Sequence, residues 1–163
     1  MRPGIRMRKK PESSLRTRAL QYLARREYSR AELRGKLQRY AQTDEESGAL
    51  PEDIDALLDD LTARGWLSDA RAVTQMLHAK RGRFGTQRIA HELRQKGIAE
   101  ELIGVALPAL KESELATAHE VWQRKFGVLP QDAKEKARQM RFLQSRGFGF
   151  DVISQVLRSV KED

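Results

Sequence analysis

Apolar residues recur along the chain at i, i+3, i+4 and i+7, and period-two alternation is nowhere sustained, so the pattern predicts helices throughout and no sheet. Successive faces run through Leu15, Ala19, Tyr22 and Leu23; Leu33, Leu37 and Tyr40; Ile54, Leu57, Leu58 and Leu61; and Ala72, Val73, Met76 and Leu77. They continue with Ile89, Ala90 and Leu93; Leu102, Ile103, Ala106 and Leu107; Leu115, Ala118, Trp122 and Phe126; Ala133, Ala137 and Met140; and Val152, Ile153, Val156, Leu157 and Val160. The spacing thus predicts nine short helices. Local punctuation agrees. Ser29 with Glu32 fits a capping box, Pro51 suits a first helical position, Gly65 suits a helix stop and Ser68 before Asp69 suits the next start.

The helices repeat. A shift of 56 residues sets Arg25, Tyr28, Ser29, Leu33 and Leu37 on Arg81, Phe84, Gly85, Ile89 and Leu93. A shift of 50 sets Leu93, Gly97, Ile98, Leu102, Ile103, Ala106 and Leu107 on Leu143, Gly147, Phe148, Val152, Ile153, Val156 and Leu157. A shift of 49 sets Ile54, Leu57, Leu58 and Leu61 on Ile103, Ala106, Leu107 and Leu110. The expected architecture is therefore all-α: an elongated, curved array of three tandem three-helix units, each resembling a helix-turn-helix and packing mainly on its neighbours. The units are expected at residues 13–66, 67–111 and 112–163, behind a basic flexible arm at 1–12 that carries Pro3 and Pro11 and has no apolar face. The acidic stretch Gln42–Leu50 is expected to form a mobile extra loop.

Charge adds a direction to this picture. The 163 residues hold 31 Lys and Arg against 23 Asp and Glu, a formal net charge of +8, but residues 1–41 carry +10, 42–78 carry −7, 79–97 carry +5 and 98–163 are balanced. Such excesses suit a polyanion or an acidic protein surface, although arginine-rich solvated helix faces share the pattern. With no cysteine the chain can build no disulfide or thiolate metal site. Its most apolar run, Leu102–Leu110, is interrupted by Gly104 and Pro108 and is far shorter than the roughly 20 residues that span a bilayer. No secretory signal is legible, so a cytoplasmic protein is expected.

No catalytic constellation stands out. His78, His91 and His119 lie on different helices without metal-binding spacing, and the glycines of Arg81-Gly82-Arg83-Phe84-Gly85 neither follow a strand nor precede Gly-Lys-Ser/Thr, as a phosphate loop would. No catalytic residue, cofactor or metal is expected. The stronger feature is a set of basic residues beside the helix junctions: Arg25, Arg26, Arg30 and Arg34 in the first unit, Lys80, Arg81, Arg83, Arg88, Arg94 and Lys96 in the second, and Arg138, Arg141 and Arg146 in the third. Guanidinium groups bind phosphate and carboxylate bidentately, so these are the candidate binding residues. Tyr28 and Phe84, at matching positions before a helix, read as core plugs, as do Trp66 and Trp122. With no heptad seam, a monomer is expected.

Several motifs in order resemble the RecX family of regulatory proteins: Arg25-Arg26-Glu27-Tyr28-Ser29 through Glu32-Leu33 and Lys36-Leu37; Gly65-Trp66-Leu67-Ser68-Asp69; Gly85, Arg88-Ile89, Glu92-Leu93 and Lys96-Gly97-Ile98; and Arg141-Phe142-Leu143 with Arg146-Gly147-Phe148. The resemblance spans residues 13–160. It implies a non-enzymatic protein of three three-helix units that binds the RecA recombinase and its DNA filament, lowers ATPase and strand-exchange activity and limits filament extension in DNA repair, recombination and the SOS response. DNA, single- or double-stranded, is a further expected partner. The basic arm and the acidic stretch depart from the family pattern. The alternative reading is a general DNA-binding protein that acts by competing for DNA.

Overall fold

The computed structural model describes residues 14–41 and 53–159. The expected arm, the stretch Gln42–Leu50, Pro51 and Val160 lie outside the described residues. Every regular element among the described residues is a helix: α1 (Leu15–Arg25), α2 (Arg30–Ala41), α3 (Ile54–Ala63), α4 (Asp69–Lys80), α5 (Thr86–Gln95), α6 (Glu100–Lys125), α7 (Ala133–Ser145) and α8 (Phe150–Ser159).

Local chemistry explains most boundaries. Before α2 the capping box is closed in both directions: the Glu32 amide donates to Ser29 Oγ at 3.1 Å, and the Ser29 amide donates to Glu32 Oε1 at 3.1 Å. Ser14, Asp53, Ser68 and Asp132 cap α1, α3, α4 and α7 in the usual way, each side-chain oxygen accepting an amide of the first turn. At the end of α5 the Gly97 amide reaches the Arg94 carbonyl and the Ile98 amide the Leu93 carbonyl, and α7 ends identically with Gly147 and Phe148. Both glycines have positive φ, 72° and 92°, as this paired 5→2 and 6→1 termination demands.

Among the described residues eight helices stand where nine were predicted. No break separates the faces of Leu107 and Leu115, and one 26-residue helix, α6, runs through the expected unit boundary at residues 111 and 112. Pro108 has no amide to give the Gly104 carbonyl, but it sits on the exposed side, and the Ala-, Leu-, Lys- and Glu-rich residues after it sustain the helix.

The interior divides into three apolar clusters. The first is built from α1, α2 and α3 around Leu33, Leu37, Leu58 and Leu61; the second holds Ile89, Leu93, Ile98 and Ile103; the third holds Trp122, Leu143, Phe148 and Ile153. The first half of α6 supplies Ile103 and Leu110 to the second cluster, and its second half supplies Ala118, Val121 and Trp122 to the third. α6 thus serves as the last helix of the second unit and the first of the third. Trp122 is fully buried and donates from Nε1 to Gln139 Oε1 at 2.8 Å, leaving neither polar group orphaned.

Trp66 departs from the expected core role. It is 45% exposed, while its neighbour Leu67, 2% exposed, fills the first core. In the turn that ends α3, Gly65 has a φ of 74°, the Trp66 and Leu67 amides both reach the Leu61 carbonyl, and the Leu67 side chain is the one directed into the core. Leu115 is likewise 43% exposed. Tyr28 is buried as expected, and Phe84 is half-buried against the second cluster.

The units meet through one repeated device. The first turn of α2 seats on the last turn of α5, where the Ser29 hydroxyl donates to the Lys96 carbonyl at 2.6 Å. The first turn of α5 seats in the same way on the last turn of α7, where the Gly85 amide donates to the Arg146 carbonyl at 2.7 Å and the Gln87 amide to the Gly147 carbonyl at 3.2 Å. These are the positions that the 56- and 50-residue shifts equate. Donors left over at one helix start satisfy carbonyls left over at another helix end, and the helix dipoles meet with opposite signs. Asp69 accepts the Arg30 amide at 2.7 Å and Gln75 accepts the Glu27 amide at 2.8 Å, which ties α4 to the first junction.

Candidate functional site

The junctions gather the basic residues, because the last turns of α5 and α7 and the turns before α2 and α5 are where the sequence places them. Their electrostatic environments differ. In the first unit most are matched internally: Arg26 pairs with Glu32 at 2.8 Å, Arg30 with Asp59 at 2.7 Å and Arg34 with Asp55 at 3.3 Å. Among the described residues, Arg16, Arg30 and Arg34 of the basic segment thus meet Asp60, Asp59 and Asp55 of the acidic one. Lys80 and Arg88 share Glu92, Arg94 pairs with Glu100 at 2.7 Å, Lys96 approaches Glu32 at 3.8 Å, and Arg138 approaches Glu135 at 3.7 Å. Half-exposed pairs of this kind add little stability, but each cancels a charge that a partner would otherwise meet.

The carboxylates register this pairing. Burial by itself would raise Glu32, but hydrogen bonds from Arg26 and the Ser29 amide, with Lys96 nearby, outweigh it and hold the carboxyl below its ordinary range. The hydrogen bond from Arg94 lowers Glu100, and those from Arg16 and Arg64 lower Asp60.

Five of the thirteen candidates form no ion pair among the described residues: Arg25, Arg81, Arg83, Arg141 and Arg146. Arg83 and Arg146 converge at the second junction. There the Phe84 ring is surrounded by Lys80, Arg83, Arg88 and Arg146, at 5.0, 5.6, 4.2 and 5.4 Å from its centre. Beside it opens a cleft of about 280 Å³, lined by Gly82, Arg83, Val121, Arg124, Lys125, Phe142 and Arg146. Arg124 and Lys125, from the last turn of α6, were not among the sequence candidates. Their only local signal is the aromatic Phe126 that follows, and only the length of α6 carries them to this junction.

The same architecture is found in known proteins. Family models of the second and third three-helix domains of RecX match residues 68–107 and 112–157. A regulatory protein RecX of Leptothrix cholodnii is 51% identical over 149 residues, covering 91% of this chain and 90% of that protein. This chain belongs to the RecX family. A RecX of Chromobacterium violaceum is 45% identical over 92% of this chain and 93% of its own. The crystal structure of RecX from Lactobacillus salivarius shares the fold at a TM-score of 0.70 and 15% identity, over 91% of this chain and 96% of that one.

The RecX domain matches fall on the two units that frame the second junction, and α6 bridges the gap between them. Among the described residues no group of three or more His, Asp or Glu is placed to hold a metal ion. No helix among them is long and apolar enough to cross a membrane. His119 lies against the buried Trp122, with ring centres 5.9 Å apart.

Proposed function

We propose that this protein is a non-enzymatic, cytoplasmic, monomeric regulator that binds RecA and its nucleoprotein filament and restrains filament extension and ATPase activity. Membership of the RecX family carries this reading, and its relatives are named regulatory proteins. The structure supports it through chemistry suited to an anionic partner. The second junction collects cations from α6, α7 and the α4–α5 turn, and several of them lack a carboxylate of their own.

The contact surface includes Lys80, Arg81, Arg83 and Arg88 from the second unit and Arg138, Arg141 and Arg146 from the third. Arg25, Arg26, Arg30, Arg34, Arg94 and Lys96 extend it toward the first junction. The domain boundaries read from the repeat, 13–66, 67–111 and 112–163, serve here as recognition units, with α6 as a rigid link between the last two.

The ATPase rate of RecA on single-stranded DNA, titrated with this protein, tests the reading. Inhibition well below one protein per RecA subunit, with weak binding to bare DNA, is the expected result. Inhibition only at concentrations that coat the DNA, lost with salt in step with bare-DNA binding, would replace filament regulation with simple competition.

A further inference from the structure

We infer that the cleft between α7 and α8 is a docking groove for an amphipathic helix of another protein, one that carries a carboxylate beside its apolar stripe. The groove is separate from the cationic second junction and does not depend on the filament reading.

Its volume is about 880 Å³, roughly three times that of the cleft at the second junction. The loop before α7 supplies Leu129, α7 supplies Met140, and α8 supplies Phe150 and Leu157, which together make an apolar floor. Phe150 opens α8 with 63% of its surface exposed. At the matching position of the second unit stands Glu100, exposed and paired with Arg94. The start of this helix therefore has no need of an aromatic ring.

The repeat shows why this cleft is open while its counterparts are closed. The 56-, 50- and 49-residue shifts equate Arg30 with Thr86 and Lys136, Arg34 with Ala90 and Met140, Asp55 with Gly104 and Ser154, and Asp59 with Pro108 and Arg158. In the first unit these positions close the space between α2 and α3 with ion pairs, Arg30 to Asp59 at 2.7 Å and Arg34 to Asp55 at 3.3 Å. In the second unit the continuation of α6 does so. Thr86 and Ala90 are buried there, the Thr86 hydroxyl donates to Glu114 Oε2 at 3.0 Å, and the space left beside Thr86 is only about 10 Å³. In the third unit Lys136 is exposed and Met140 half-buried, and both line the open cleft. Where the first unit sets Arg30 against Asp59, the third has two cations, Lys136 and Arg158, which cannot close the space on one another.

These exchanges indicate the occupant. The second unit is closed by a helix that carries Leu110 and, four residues on, Glu114, and residues four apart share one helix face. A helix of that design laid on α7 and α8 sets aliphatic side chains against Met140, Phe150 and Leu157 and brings a carboxylate to Lys136 and Arg158. Neither cation has a carboxylate of its own among the described residues. Asp132 and Asp151 also line the cleft. Asp132 is engaged as the cap of α7, its Oδ1 accepting the Glu135 amide at 2.7 Å. Asp151 lies about two helical turns before Arg158 along α8, so the groove is cationic at one end only and favours one direction of an acidic helix.

The test uses the full chain and fluorescence anisotropy of two labelled designed helices. Each is about five turns long with leucine at i, i+4, i+7 and i+11, flanked by glutamate in one and by lysine in the other. The glutamate peptide should bind at least about tenfold more tightly than the lysine peptide. Phe150→Ser should weaken its binding at least about tenfold, whereas Trp66→Ala, at an exposed aromatic of the first unit, should change it less than about twofold. Lys136→Glu with Arg158→Glu should reverse the preference between the peptides, which a loss of packing alone would not do. Both of those side chains are exposed, so this pair decides the matter if Phe150→Ser loses helical signal in circular dichroism. Equal binding of the two peptides, or a preference that survives the charge reversal, would overturn the proposal. So would the absence of saturable binding by either peptide up to about 1 mM. Sedimentation of the free chain as a dimer that Phe150→Ser dissociates would give the groove to a second copy, and displacement of the peptide by oligothymidylate would give it to a polyanion; either would overturn the choice of a partner helix. None of these readouts involves RecA, so the filament reading stands or falls separately.

Discussion

The Ser29 hydroxyl, fully buried, donates a 2.6 Å hydrogen bond to the main-chain carbonyl of Lys96, which lies 67 residues further along the chain. One residue thereby closes the capping box of α2 and joins the first unit to the second. The matching position in the next unit is Gly85, where the backbone amide takes over the donor role of the hydroxyl. Glycine serves there because a Cβ would overlap the Gly147 carbonyl group and the Phe148 nitrogen, all main-chain atoms that cannot rotate aside.

Gly85→Ala should therefore destabilise the second junction by about 1–3 kcal/mol through overpacking alone, since its φ of −80° suits any residue. Ser29→Ala should cost about 1–2 kcal/mol by removing a cap and orphaning the Lys96 carbonyl. Urea unfolding followed by circular dichroism measures both. A Gly85→Ala protein as stable as the parent would sink the tight-junction account.

Glycine elsewhere should behave oppositely. Gly35 in α2 and Gly104 in α6 are helical and exposed, and a Cβ at either would meet nothing within 4 Å. Alanine at each should raise stability by about 0.5–1 kcal/mol by restricting the unfolded chain. A lower unfolding midpoint in the double variant would contradict this.

The two tryptophans separate exposed from buried aromatic packing. Trp122→Ala should cost about 3–5 kcal/mol, because it empties the third core and strips Gln139 of its donor. Trp66→Ala should cost about 1 kcal/mol or less, since that ring is half in solvent, with the guanidinium groups of Arg16 and Arg64 over it. Comparable losses in the two variants would mean that the Trp66 ring packs as a core residue in solution.

Glu32 gives the first junction a pH dependence. Its folded carboxyl lies below the ordinary value of 4.5, so its stabilising contribution is present above that value and is lost as pH falls through the depressed folded value. Glu32→Gln should lower stability by about 1–2 kcal/mol near neutrality. The gap should begin to narrow as the pH drops below about 4.5, where the unfolded carboxyl takes up its proton, and close once the pH has passed the depressed folded value, where the folded carboxylate is protonated too. A gap that stays constant down to strongly acid pH would show that charge plays no part.

Helix positions, caps and the three-unit repeat are legible in the sequence because they rest on short-range rules. Spacing by a helical turn sets the buried face, a serine three residues before a glutamate closes a cap, and a glycine at positive φ ends a helix. The motifs around Ser29, Gly85, Gly97 and Gly147 align with one another by residue type alone, and these are the residues that form the junctions. Residue type does not supply the pairing of Ser29 with Lys96 or of Gly85 with Arg146, since nothing local indicates which helix end meets which start.

Three further matters depend on how the helices pack in space. α6 continues through Pro108, because a proline on a solvent-facing turn loses one hydrogen bond while two cores hold the helix on either side. Leu67 turns inward in place of Trp66, because the path of the backbone through the turn after α3, and not the size of the side chain, sets which of the two faces the core. The arginines, finally, fall into neutralised and unneutralised sets. That sorting follows from contacts such as Arg30 with Asp59 and Arg71 with Glu27, made across tens of residues of chain, and charge pairing depends on distance in space rather than on position in the sequence.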